Sequence, residues 1–277
     1  MSSASVIGGV TDRVTDRVND GVNDSVTLRP EELYASVIAD LLAGVRHVAV
    51  GMLSPIPGAG ALLARQLGDG RMRVSILGSR AQNRWTNGGA ELFDLAGRGG
   101  VDAFFLSGGQ IDGAANINLV GTGAYPQSEV RWSGCFGSAY LYFLVPRVIL
   151  FRWEHSRRTL VERVDFISAP GRSEPGVYRP GGPMALITNL CLFDFRKESG
   201  RFRLRSVHPG HSLQEVRDQT GFDFDCAAEV PTTPVPGASR LALLRGSVAE
   251  QIGAVYPAFA QMVFGPTTES PPAHPAR

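Results

Sequence analysis

A strand-like apolar run, Ala103 to Leu106, breaks off at Ser107-Gly108-Gly109, and the chain then collects Gln110, Asp112, Asn116 and Asn118, separated by Gly and Ala. An apolar strand, a small-residue turn and then side-chain amides is the order in which α/β proteins build sites at the carboxyl ends of their strands. Asp and Asn at this spacing also close tight turns onto their own backbone. The residues alone leave both readings open. A second apolar run, Ile117 to Val120, carries Asn118 inside it, and a glycine-rich loop, Ser133 to Gly137, closes the stretch.

The flanking chain alternates helix and strand signals. Pro30 with Glu31 and Glu32 predicts a helix start after Thr27, with Leu33, Val37, Ile38 and Leu41 on its apolar face and Gly44 ending it. His47 to Val50 reads as a short strand, Ala59 to Leu67 as a helix and Met72 to Leu77 as a second strand. Both strands run into polar or glycine-rich loops, at 51–58 and 78–83. Beyond the central stretch, strands are expected at 147–151, 164–167, 185–188, 190–195 and 202–207, with a hairpin about Lys197 to Gly200. Ser212 with Glu215 predicts a capped helix. A further short strand is expected at 222–224 and a last amphipathic helix at 247–263. No linker interrupts the middle, so residues 27–264 are expected to form one domain. The valines of 1–26 recur every four residues among poor helix formers, and 265–277 is rich in Pro and Thr; both ends are expected to be disordered.

Composition removes several classes of function. Lys plus Arg is 27 against 26 for Asp plus Glu, so neither nucleic acid nor an anionic membrane is called for as a partner. No apolar run approaches the ~18 residues of a membrane span. The three cysteines, Cys135, Cys191 and Cys226, are scattered, and the histidines show no ligand spacing. A soluble cytoplasmic protein without a metal or a tightly bound cofactor is expected.

For chemistry, the glycine-rich strand-end loops can present backbone N–H donors to a developing oxyanion. Asp112 is the one acid inside the central motif, and it can serve as a base or as a turn former. Glu91, Glu129 and Glu154 lie nearby in sequence. Cys135 would be a nucleophile only at a helix N-terminus. Ser79-Arg80 can hold an anionic group. The basic run at 155–158 either holds a phosphate or carboxylate or makes salt bridges with Glu154 and Glu162.

The segments GGQIDGAANIN, VRWSGCFG, HSRRTLVERVDFISAPG, ITNLCLFDF and SVHPGHSLQEVRDQTGF, taken in this order and spacing, resemble the β-type subunit of the class I CoA-transferase family over residues 30–250. The likeness extends to the glutaconate type and to a branch of bacterial hydrolases that open the last steroid ring. It implies an α/β fold, an open mixed sheet flanked by helices, CoA-transferase-like. It implies an α-type partner, often in an α2β2 heterotetramer, an active site between the subunits, and acyl-CoA thioesters as substrates, with coenzyme A entering as part of the substrate.

Carried onto this chain, the resemblance makes Asp112 and Asn116 the candidate catalytic residues. Gln110, Asn118, Gly134, Gly137, Ser79 and Arg80 become candidate binding residues, with Ser79 and Arg80 facing the acyl group's carboxylate. Ala115 stands where the family usually has Gly. The family's nucleophilic Glu maps to Leu77-Gly78-Ser79-Arg80, which contains no Glu. The implied function is therefore a β-type subunit whose catalytic Glu comes from the α-type partner. The alternatives are an acyl-CoA hydrolase or ring-opening subunit of steroid catabolism, or a non-catalytic structural subunit.

Overall fold

The computed structural model describes residues 28–265. The expected arm, 1–26, lies outside the described residues, and of the tail 265–277 only Gly265 is described. Pro30–Leu41 forms α1, its first turn fixed by Glu32, whose carboxylate accepts from the Arg29 amide at 2.9 Å. The strand β1 is His47–Val50, α2 is Pro55–Leu67 and β2 is Arg73–Ile76. Gly88–Gly97 forms α3 and Ala103–Leu106 forms β3. Short pairs follow: β4 (Gln110–Ile111) with β5 (Ile117–Asn118), and β6 (Gly121–Thr122) with β7 (Val130–Arg131). Then come α4 (Ser138–Leu144), β8 (Arg147–Phe151), β9 (Pro183–Ile187), β10 (Cys191–Arg196) and β11 (Arg201–Val207). The described residues end with α5 (Leu213–Gln219), β12 (Asp225–Cys226), α6 (Ala238–Leu243), a π-helical turn Leu244–Val248, α7 (Ala249–Gly253) and α8 (Pro257–Phe264).

Eight strands form one sheet in the order β12-β11-β10-β9-β8-β3-β1-β2. From β9 to β2 every pair is parallel. Across β9, β10 and β11 the pairing is antiparallel, and β12 returns parallel to β11. This is the open mixed sheet expected. Alternate residues of each strand face opposite sides. Val48, Val50, Phe105 and Ile149 pack on α1, α2 and the C-terminal helices. Ala49, Phe104, Val148 and Leu150 face a second core with Leu92, Tyr142, Phe193 and Phe202.

Four expectations differ. The second helix begins at Pro55 rather than Ala59, proline being suited to a first helical turn, so the loop after β1 is shorter than 51–58. Residues 164–167 carry strand-like composition yet form no ladder, because Asp165 is tied off by Gln110 and Gly123 instead of a neighbouring strand. The short strand falls at Asp225–Cys226 rather than 222–224, since Phe222 turns inward to stack on Phe202. The last helix is broken, at Gly246 with φ −100° and ψ −106°, and again before Pro257, which cannot donate to a continuing helix.

Candidate active site

The parallel strands β1, β2 and β3 end side by side, so their exit loops share the carboxyl edge of the sheet. After β1, Leu53 adopts φ 55° and is 86 % exposed, and Met52 beside it is exposed as well. After β2 the chain turns at Gly78, φ 87°, where the absence of a side chain permits the left-handed backbone. The Ser79 amide donates to the Ile76 carbonyl at 3.0 Å, and its buried hydroxyl accepts from the Gln82 amide at 3.0 Å. The loop then doubles back along the outer edge of β2, the Ile76 amide donating to the Gln82 carbonyl at 3.2 Å. Arg80 is left exposed at the tip.

After β3, Gly109 lies under the indole of Trp132, which a Cβ at that position would strike. Trp132 opens the loop to Gly137. Phe136, φ 40° and 74 % exposed, reaches α3, its ring 5.7 Å from that of Phe93. Gly134 and Gly137 both have positive φ, and Gly137 is the residue before α4, where a Cβ would meet Phe93. The strand order β3-β1-β2 puts the β1 loop between Ser79-Arg80 and the β3 exit, so these groups stand roughly two strand spacings, about 10 Å, apart.

The hairpin β4–β5 divides the remaining site residues between two places. Its root, Gln110 and Asn118, lies next to the β3 exit, where the Gly109 amide donates to the Asn118 carbonyl at 2.9 Å. Asn118, fully buried, donates to the Gln110 side-chain oxygen at 2.8 Å and to the Gly121 carbonyl at 2.7 Å, and accepts from the Val120 amide at 2.9 Å. Gln110 also accepts from the Asp165 amide at 2.9 Å.

The tip, Asp112 to Asn116, points the other way. It meets Gly171, whose amide donates to the Asn116 side-chain oxygen at 3.0 Å, and Arg172 beyond it contacts Gly200 in the β10–β11 turn. Because β10 runs antiparallel to β9, that turn is at the amino edge of the parallel strands. Asp112 Oδ1 accepts from the Ala114 and Asn116 amides, both at 3.0 Å, and Oδ2 accepts from Asn116 Nδ2 at 3.1 Å. Ala115 takes φ 59°, and its carbonyl accepts from the buried Tyr142 hydroxyl at 2.9 Å. Burial raises that phenol well above its ordinary pKa.

Two of the other carboxylates near in sequence, Glu91 and Glu154, are also engaged. Glu91 caps the start of α3, accepting from the Asn87 amide at 3.0 Å and the Thr86 hydroxyl at 3.1 Å, and the amide bond holds its pKa low. Glu154 binds Arg158, Ser156 and Arg152. The basic run at 155–158 is thus salt-bridged to Glu154, while Arg157 donates to the Asp218 carbonyl at 2.7 Å. His155 is buried in the core between the Thr188 and Thr220 hydroxyls, both at 2.8 Å. No group of three or more His, Cys, Asp or Glu among the described residues could hold a metal ion. No helix among them is long and apolar enough to cross a membrane. Sequence reasoning passed over Leu53, Phe136 and Trp132 at this edge. No glycine marks the two left-handed positions, so only the backbone angles reveal them.

A parallel-centred open sheet with glycine-turned loops at its carboxyl edge is the architecture of α/β proteins that take ligands at strand ends. The coenzyme A transferase family model matches residues 25–219, and the chain belongs to that family, as a chain of the β-subunit type. It is 30 % identical over 79 % of its length to a subunit of the 3-oxoadipate CoA-transferase of Pseudomonas knackmussii, covering 84 % of that protein. It is 26 % identical over 77 % of its length to the cholesterol ring-cleaving hydrolase IpdB subunit of Rhodococcus jostii, covering 90 % of it. Among solved structures, the glutaconate coenzyme A-transferase of Acidaminococcus fermentans has the same fold, with TM-score 0.69 and 20 % identity over 79 % of this chain and 94 % of that one.

Proposed function

We propose that this chain is the β-type half of a heteromeric enzyme acting on acyl-CoA thioesters, with the working carboxylate supplied by an α-type partner. The observation that carries this reading is the β2 exit loop. Its glycine turn is closed by Ser79 onto Gln82, and it holds no acid at the place of the family's nucleophile. Neither serine nor arginine there can form the acyl anhydride that carboxylate catalysis requires. Asp112 and Glu91 already accept hydrogen bonds within their own turns, which makes each a poor nucleophile. In this reading Asp112 and Asn116 hold the hairpin whose root, Gln110 and Asn118, shapes the site floor. Arg80 faces the acyl group's charge, and the loop from Gly134 to Gly137 lies along the thioester arm.

The exposed Leu53 and Phe136 support a partner at this edge. Each holds a large apolar side chain in solvent on a left-handed backbone, a conformation that costs roughly 1–2 kcal/mol in a non-glycine residue. Strain of this kind persists where a site or contact surface uses it.

A hydrolytic or ring-opening reaction is the second reading. The missing Glu and the likeness to the ring-cleaving hydrolase subunit support it, while the likeness to the 3-oxoadipate CoA-transferase subunit supports transfer. The deciding experiment isolates the complex with its partner, incubates it with acyl-CoA and borohydride, and maps adducts by mass spectrometry. A reduced glutamyl adduct on the partner supports transfer with a partner-borne Glu. CoA release without an adduct supports hydrolysis. An adduct on this chain, or no turnover with any partner, overturns the proposal.

A further inference from the structure

The outer edge of the sheet carries a concavity of about 410 Å³ beside β2, lined at one end by Ala81 and Gln82 of the β2 exit loop. Four arginines line it: Arg65 from the end of α2, Arg71 from the approach to β2, Arg73 as the first residue of β2, and Arg84 from the returning loop. A tight turn at Asp69-Gly70, with Gly70 at φ 75° and the Arg71 amide donating to Asp69 at 3.0 Å, delivers Arg71 and Arg73 to it. Among the described residues, Asp69 is the one acid paired with any of the four. It meets Arg71 at 3.5 Å, with both side chains largely in solvent, so it screens little. Arg65 is held by uncharged oxygens, Gln82 at 3.0 Å and Gln251 at 2.6 Å, and burial lowers its pKa. These amides fix the guanidinium without neutralising it. The positive charge of Arg73 also reaches inward, helping to lower the pKa of His47 behind burial itself.

The backbone adds to this. Amides of a strand point alternately to its two sides. The Ile76 amide points outward to Gln82, so the Val74 amide, two residues earlier, faces the same edge, and Val74 lines the concavity. Like charges gathered in a concave wall repel one another unless an anion joins them. Planar guanidinium forks match phosphoryl oxygens two at a time. The space is within the range of small-ligand sites, about 300–1,000 Å³, and is larger than one phosphate needs.

We propose that this concavity binds a small anion carrying two or more phosphoryl groups, with Arg65, Arg71, Arg73 and Arg84 as its charged contacts. Two sources share that chemistry: the diphosphate-bearing head of a CoA thioester, and a free diphosphate or nucleotide.

The test titrates the full chain with inorganic pyrophosphate by calorimetry, at low and at near-physiological salt. Arg73 and Arg84 are exposed, so Arg73→Ala and Arg84→Ala, singly and together, leave the core intact, which circular dichroism checks. Saturable binding by the parent chain is expected, weakened roughly tenfold or more in the double variant. Arg163→Ala, a remote exposed arginine, should change it by less than about twofold. No saturable binding, an unchanged double variant, or an equal loss in Arg163→Ala overturns the site. Competition then separates the sources: CoA displacing pyrophosphate assigns the site to the CoA head, and pyrophosphate retained beside saturating CoA assigns it to a separate phosphoanion. Pyrophosphate binding requires neither the partner nor a thioester, so its failure would leave the acyl-CoA reading standing.

Discussion

Asn116 donates twice to Asp112, its amide to Oδ1 at 3.0 Å and its side-chain nitrogen to Oδ2 at 3.1 Å. With the Ala114 amide on Oδ1 as well, both carboxylate oxygens serve the turn. Asp112→Asn replaces one acceptor by a donor facing the Asn116 side-chain nitrogen. That nitrogen cannot be exchanged for its oxygen without losing the Gly171 amide. We expect a loss of roughly 1–3 kcal/mol in urea unfolding. An unchanged midpoint would mean that the turn does not depend on the carboxylate.

Gly171 is packed so closely that a Cβ would collide with the carbonyl oxygen of Ala114 and the backbone of Ala115. Neither can move aside as a side-chain tip could. Gly171→Ala should therefore separate the hairpin tip from its anchor at a cost of about 1–3 kcal/mol. For a chain of this size that is a fall of roughly 2–12 °C in melting temperature. A melting curve superimposable on the parent's would contradict the packing.

His155 and His208 are both buried among hydroxyl and carbonyl partners, and burial pushes each imidazole down to about 4. The unfolded chain binds their protons near 6.5, so between these values it holds more protons than the folded one. The stability they confer is present above about pH 6.5 and falls as pH drops toward 4, by roughly 3 kcal/mol per histidine. Urea midpoints at a series of pH values should fall across this window. His155→Gln should flatten the slope; the same slope in that variant would assign the effect elsewhere.

Leu53 contributes an exposed side chain and no core contact of its own. Leu53→Ser should leave the unfolding free energy of the isolated chain unchanged to within about 0.5 kcal/mol. It should weaken association with an α-type partner by roughly tenfold or more, which sedimentation or calorimetry would measure. Equal affinity would remove this loop from the contact.

Arg80→Ala, at the exposed tip of the β2 exit loop, should raise KM for an anionic acyl-CoA by about tenfold with kcat less affected, if its charge is used in binding. Steady-state kinetics of the reconstituted complex decides, and unchanged kcat/KM would take Arg80 out of the site.

Much of the fold was legible because its central parallel strands are buried on both faces. His47–Val50, Ala103–Leu106 and Arg147–Phe151 read as short apolar runs bounded by turn residues, and Ser212 caps α5 with the Glu215 amide on its hydroxyl at 3.1 Å. What misled was composition without a partner strand, as at 164–167. The site was harder to read. The spacing Gln110, Asp112, Asn116 and Asn118 marks a hairpin, yet the direction of that hairpin, root toward the carboxyl edge and tip toward the amino edge, comes from contacts with Gly171 that are remote in sequence. The left-handed Leu53 and Phe136 carry no glycine to betray them.

Glu32 is fully buried at the start of α1, and besides the Arg29 amide it is gripped by the Arg245 guanidinium, Nη2 to Oε2 at 2.8 Å. Arg245 stands well beyond residue 219, where the family match ends. The residues that the family model matches therefore leave out the arginine that holds Glu32. A chain cut after 219 would leave the buried Glu32 carboxylate without its cation, held by the Arg29 amide alone, and would uncover the face where Leu244, Val248 and Ile252 pack. The last described helices act as a latch, fastened across the first described turn.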